Sequence, residues 1–98
     1  MNNVMPARLL RKIGATHTVQ RQFAEAAQVW AKAENYLGVL SDESVKELWD
    51  EWIEIQVERT WGYYWQSATD EMEKTCRSFL PIVEQRGTAE QRARAFGV

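Results

Sequence analysis

Apolar residues recur every three or four positions along most of the chain and never alternate with polar ones over a useful length, so the pattern predicts helices and no strands. Leu9, Leu10 and Ile13 open the first run. Pro6 stands before them, suited to a first helical turn where its missing N–H costs nothing, and helix one is expected over about Pro6 to Val19. Gln20-Arg21-Gln22 forms a short connection, and Phe23 to Leu37 forms helix two, stopped by Gly38 as a left-handed cap. Ser41 or Asp42 then caps a long third helix, about Asp42 to Gln66. Projected at about 100° per residue, its apolar positions (Val45, Leu48, Trp49, Trp52, Ile53, Ile55, Val57, Tyr63, Tyr64) cover half the circumference or more, so it needs neighbours on two sides. The remaining arc runs from an acidic ridge, Glu47, Asp50, Glu51, Glu54 and Glu58, into an aromatic one, Trp61 and Trp65.

Ser67-Ala68-Thr69 makes the next connection, and a fourth helix carries Met72, Cys76, Phe79, Leu80 and Val83 inward as far as Gly87. Pro81 lies inside that span, which predicts a kink or break near Phe79-Leu80. Thr88-Ala89-Glu90-Gln91 reads as a capping box that starts a fifth helix near the chain's end.

Leu10, Gly14, His17, Phe23, Ala26, Trp30, Ala33 and Gly38 fall in order on the large, small, aromatic and helix-stop positions of a tetratricopeptide repeat, which this segment resembles. His17 replaces the usual Tyr and Gly38 the usual Pro. A weaker second repeat aligns 46 residues on, with Thr60 at the small position, Tyr63 at the aromatic one, and Met72, Cys76 and Phe79 in the places of Ala26, Trp30 and Ala33. The chain as a whole is similar to the degenerate repeat region of large bacterial signalling ATPases and nucleotide-cyclase-linked regulators. The resemblance implies an all-α fold of about five helices, antiparallel hairpins stacked as a short right-handed solenoid. It forms a single domain over 1–98, with repeat one at 6–38, a longer repeat two at 42–87, and the start of a further or capping helix at 88–98. Solenoid repeats bury one another and usually number about three or more. Two and a fraction imply either a segment of a longer ancestor or completion by a second copy.

Composition changes this picture little. The 98 residues, 45% apolar and 27% charged, suit one modest soluble core, and no apolar run is long enough to cross a bilayer. The opening residues carry no basic, apolar and small-residue succession, so no secretory signal is expected, and one cysteine cannot pair internally. These features point to the cytoplasm. Charge is uneven: residues 1–37 sum to +3, 38–73 to −8 and 74–98 to +3, which gives the net −2. An acidic belt between mildly basic ends argues against nucleic acid, whose binders gather Lys and Arg on one face.

Catalysis is not expected. His17 is the only histidine and has no metal-ligand neighbours in sequence; it reads as a packing residue, and Cys76 as an inert thiol in a core position. The carboxylates of the third helix read as a solvated face with ordinary pKa values. No Gly-rich phosphate loop occurs, and no cofactor or metal is implied.

In the resembling family, the positions of Trp61, Trp65, Tyr64 and Glu54, and of Arg8 and Arg11 in repeat one, line a concave groove. The resemblance therefore implies a non-catalytic module that binds a peptide or helix. Trp61, Tyr64 and Trp65 would anchor apolar side chains, Glu54 and Glu58 would favour a basic partner, and Arg8 and Arg11 would pair with a carboxylate. Arg11 and Ala15 stand where carboxylate-gripping members carry Lys and Asn, which sets that specific activity aside. Trp61 and Trp65 could instead pack on the fourth helix or on a missing repeat. Two other readings stay open: a homodimer through exposed repeat ends, or a small-ligand-sensing segment of a larger regulator.

Overall fold

The computed structural model describes residues 4–96, and all of its regular structure is helical: α1 Val4–Val19, α2 Phe23–Leu37, α3 Lys46–Trp65, α4 Thr69–Arg86 and α5 Ala89–Phe96. Gly97 and Val98, which close the expected last segment, and Met1 to Asn3 of the opening lie outside the described residues. Helix two matches its expected bounds, and Gly38 stops it at φ +75°, ψ −167°, a conformation open essentially to glycine, with its N–H donating to Glu34 O. The capping box forms as spelled. Thr88 N–H donates to Gln91 Oε1 at 3.0 Å, and Gln91 N–H donates to Thr88 Oγ1 at 3.1 Å.

Two expectations need correction. Neither Ser41 nor Asp42 caps α3, which starts at Lys46 behind an extended Val45 with no side-chain cap. The serine hydroxyls turn on the loop itself instead, Ser44 Oγ accepting from Ser41 N–H at 3.0 Å and Ser41 Oγ from Glu43 N–H at 3.3 Å. Pro81 does not break α4, which runs through it to Arg86. Pro81 and Arg77, whose carbonyl loses its helical donor, both lie on the exposed side.

The helices pair as two antiparallel hairpins, α1 with α2 and α3 with α4, closed by the same turn. Arg21 and Ser67 are the non-glycine residues with positive φ among those described, at 61° and 59°, and they stand 46 positions apart. Gln22 N–H donates to His17 O and Arg21 N–H to Thr18 O; Ala68 N–H donates to Tyr63 O and Ser67 N–H to Tyr64 O. This is the paired bond pattern of a helix ending in one left-handed residue. The same interval of 46 relates the packing inside the hairpins. In the first, Gly14 on α1 faces Trp30 on α2; in the second, Thr60 on α3 faces Cys76 on α4 within hydrogen-bond reach. The large partner and the vacated position have both changed, and the second pair of helices packs less closely than the first.

Among the described residues, α3 alone contacts all four other helices. One face joins Val4, Ala7, Ala26, Trp30, Ala33 and Leu37 through Ile55, and the opposite face joins Phe79, Val83 and Ala95 through Ile53 and Val57. Trp52 packs against both clusters. The two-sided burial read from the wide apolar arc is thus how the fold is organised.

Trp30 is the wedge of the first cluster. A Cβ at Gly14 would stand 2.5 Å from its Nε1, and one at Gly62 would stand 2.9 Å from Cη2, so the indole spans from α1 to α3 between two glycines. Its buried N–H has no hydrogen-bond partner among the described residues, a cost of about 1–3 kcal/mol that the close seat must offset. Gly14→Ala should therefore destabilise the protein, although Ala is the better helix former by about 1 kcal/mol. Overpacking against a rigid ring costs about 1–3 kcal/mol, and the close 2.5 Å approach puts this case toward the upper end, so a net loss of up to about 2 kcal/mol is expected in urea unfolding. In the Trp30→Leu background that loss should largely vanish, because a shorter side chain leaves room for the methyl.

Candidate functional site

Glu51, Glu54 and Glu58 recur at intervals of three and four, which stacks them along one stripe of α3. The solvated face expected for these carboxylates does not occur, because α1 and α5 close over the stripe from either side. Glu51 is only 2% exposed. Its Oε1 accepts from Arg8 Nε at 3.1 Å and its Oε2 from Arg11 Nε. Arg11 continues to Glu58, Nη1 donating to Oε1 at 3.1 Å. On the α5 side, Arg94 Nη1 donates to both oxygens of Glu54, at 2.8 and 3.1 Å, and Gln91 of the capping box adds a bond to Glu54 Oε2 at 3.1 Å. Four of the seven residues expected to line a groove are therefore engaged across helix interfaces, Arg8 with Glu51, Arg11 with Glu51 and Glu58, and Glu54 with α5.

The titration behaviour follows from this packing. Burial works against the charge on Arg11, but the bond to Glu51 and the charges of Glu51, Glu58 and Glu54 outweigh it and hold the guanidinium pKa above its ordinary value. At Glu58 burial wins: despite Arg11, the carboxyl pKa is pushed above the ordinary carboxylate range. Its Oε2 is withdrawn from solvent and has no hydrogen-bond partner among the described residues.

Past Glu58 the stripe turns aromatic. Trp61, Tyr64 and Trp65 form an edge-to-face series, with centroids 5.4 Å apart at 81° and then 5.2 Å apart at 77°. Trp61 packs partly against the second cluster, while Tyr64 is 49% and Trp65 64% exposed. The two sequence readings of these tryptophans thus divide between them, one half-buried and one projecting. Beside the series, between α1 and the end of α3, lies a cleft of ≈ 140 Å³ walled by Ala15, Thr18, Trp30, Glu58, Trp61 and Trp65. Sequence reasoning placed Trp61 and Trp65 at this surface but missed Trp30, because a core-type position gives no sign that one edge of its ring reaches a cleft. Ala15 carried a sign, since it precedes Trp61 by the same 46 residues.

His17 does not act as a core packing residue; half-buried in the last turn of α1, its Nδ1 lies 2.6 Å from Gln22 Oε1 in the turn. Burial raises the Cys76 thiol pKa, against a smaller opposing effect of Thr60, so the thiolate nucleophile is disfavoured. No group of three or more His, Cys, Asp or Glu among the described residues is arranged to hold a metal ion. No described helix is long and apolar enough to cross a membrane. Compared with models of known families, curated proteins and solved structures, the chain matches none of them.

Glu51→Ala should cost roughly 2–4 kcal/mol, somewhat less than a fully orphaned buried charge because Arg11 keeps Glu58. Glu58 predicts the opposite kind of effect. Its pKa is higher folded than unfolded, so its stabilising contribution is fully present below the unfolded value and is lost as pH rises through the folded one. In urea unfolding followed by helical circular dichroism, wild type should lose stability relative to Glu58→Gln as pH rises from the acid side of the carboxylate range toward neutrality. A constant difference across that range would contradict the assignment.

Proposed function

We propose that this chain is a non-catalytic protein-interaction module that holds a peptide or helix at the aromatic end of α3. The observation that carries the reading is the projection of Tyr64 and Trp65 beside an apolar cleft, at the end of a helix otherwise wrapped by its neighbours. Aromatic side chains exposed beside a pocket are the residue types that dominate binding energy at interfaces. The binding residues in this reading are Trp61, Tyr64 and Trp65, with Glu58 in the cleft wall; Arg8, Arg11 and Glu54 belong to the ion pairs along the preceding turns of α3. The short helical-repeat arrangement implied by the tetratricopeptide resemblance fits this role, and the matching turns 46 residues apart support the two-repeat alignment. The module would work in the cytoplasm, where its single thiol stays reduced.

A self-association reading has one observation of its own. Met5, Leu9 and Ile13 follow one another at four-residue steps on α1 and are exposed, an apolar stripe on the opposite hairpin from the aromatic end. A second copy could cover it.

Peptides selected from a displayed random library on the immobilised protein should bind Trp61→Ala/Trp65→Ala at least about tenfold more weakly, about 1.4 kcal/mol, with helicity retained. Equal binding to both proteins would sink the receptor reading. Light scattering over a range of concentrations separates the alternative: a dimer that Leu9→Glu dissociates would assign the stripe to self-association.

A further inference from the structure

The exposed stripe on α1 has a counterpart inside the same molecule. Residues 46 positions apart take equivalent places in the two hairpins: Ala7 and Ile53, Ala33 and Phe79, and Leu37 and Val83 are buried in both. Each hairpin also seats the helix that follows it, α3 against both α1 and α2, and α5 against both α3 and α4. The interval carries Leu9 onto Ile55, Ile13 onto Arg59 and Thr16 onto Gly62. On α3 that face is the one seated on the first hairpin. Ile55 is fully buried there, Arg59 Nη1 donates to Glu34 Oε1 at 2.7 Å, and Gly62 lies over the Trp30 ring. On α1 the same face is bare: Leu9 is 62% exposed, and Ile13 and Thr16 are exposed with it.

The missing seat has its own counterpart on α4, where the interval carries Trp30 onto Cys76 and Glu34 onto Leu80, both half-buried. Helix α5 matches residues 43–50, which precede the stretch from Ile55 to Gly62, so no described helix takes that place on the second hairpin.

We propose that α1 of one copy docks on the second hairpin of another, with Leu9, Ile13 and Thr16 against the stretch of α4 that carries Cys76 and Leu80. This head-to-tail contact rests on the self-association reading above and names the surface that the stripe takes. Both sides of the internal interface have changed together at the corresponding places. Where Glu34 opposes Arg59, Leu80 would oppose Ile13, so an ion pair gives way to an apolar pair that buries no charge. Where the Trp30 ring meets a residue with no side chain, the smaller Cys76 would meet Thr16, which brings back part of the missing bulk. A stripe docked on the same stripe of a second copy would use neither exchange. Two intervals carry Val4 to position 96, so α1 of the next copy lies past α5 rather than across it. Because its two sides are different surfaces, the contact extends from copy to copy instead of closing on a pair.

Light scattering of the full chain should give a mass that climbs past the dimer as concentration rises. Leu9→Glu and Leu80→Glu should each weaken association at least about tenfold. An equimolar mixture of the two should form 1:1 dimers that grow no further, since one variant keeps the seat and the other the stripe. A wild-type mass that stops at the dimer and withstands Leu80→Glu would overturn the head-to-tail contact while leaving self-association standing; a monomer at every concentration sinks both. A cross-link covers the case in which Leu80→Glu does not fold. Among the described residues α1 and α4 make no contact within one copy. Under mild oxidation by air and copper-phenanthroline, the thiol introduced by Thr16→Cys should therefore join Cys76 of the next copy, in a ladder of dimers, trimers and longer chains. Adding Cys76→Ser should abolish the ladder. Dimers joined through position 16 alone, or no link at all, would contradict the contact.

Discussion

The seat of Trp30 between two glycines is the constraint from which the rest of the structure follows. One indole on α2 reaches the α1 backbone at Gly14 and the α3 backbone at Gly62, so three helices are fixed by one ring. Their close approach is what lets Ala7, Ala26 and Ala33, none of them large, be buried completely. A larger residue at either glycine would push a helix away, and the first cluster would lose the contact density that makes a small core cohere. The unpartnered indole N–H marks the bias of this design: shape is satisfied first, and a hydrogen bond is given up for it.

With α1 held against α3, the arginines of one meet the carboxylates of the other. A buried ion pair of this kind is poor evidence of net stability, because desolvation offsets most of the attraction. Its effect is positional. Arg11 engages Glu51 and Glu58, two turns apart on α3, so sliding α1 by a turn would strand at least one buried carboxylate. The same logic attaches α5, where Gln91 closes its own helix cap and also bonds Glu54 beside Arg94. One residue thereby starts a helix and docks it, which helps an eight-residue element whose apolar side chains are mostly alanine to keep its place.

The helices were legible because their signals are local. The apolar arc of α3, the Gly38 stop and the Thr88–Gln91 cap each depend on neighbours a few residues away; the stop and the cap are found in place, and the arc packs on two sides except at Val45 and Tyr64, which are exposed. The internal interval of 46 was legible as well, though the strongest mark of it, the paired left-handed residues Arg21 and Ser67, carries no residue-type signature. What escaped the sequence was the use of charge. Arg8 and Arg11 look like a basic face, and Glu51 to Glu58 like a solvated ridge, until tertiary packing lays one on the other. The start of α3 escaped for a related reason: Ser41 and Ser44 have the chemistry of caps, and a bond between them inside the loop is equally local.

For the proposed interaction role, this pairing also narrows the surface on offer. A groove lined by Arg8, Arg11, Glu54 and Glu58 would have offered a partner many polar contacts, but an ion pair already made inside the fold must be broken before it can be offered, and breaking a buried one costs several kcal/mol. Side chains outside that network carry no such cost. Tyr64 and Trp65 project from the last turn of α3, and their rings already brace one another, so little side-chain entropy remains to be lost on contact. The internal satisfaction of the charges and the exposure of the aromatics are therefore two consequences of one arrangement. The ion pairs occupy the middle of α3, and at its C-terminal end Tyr64 and Trp65 stay exposed, which is the surface that the proposed interaction uses.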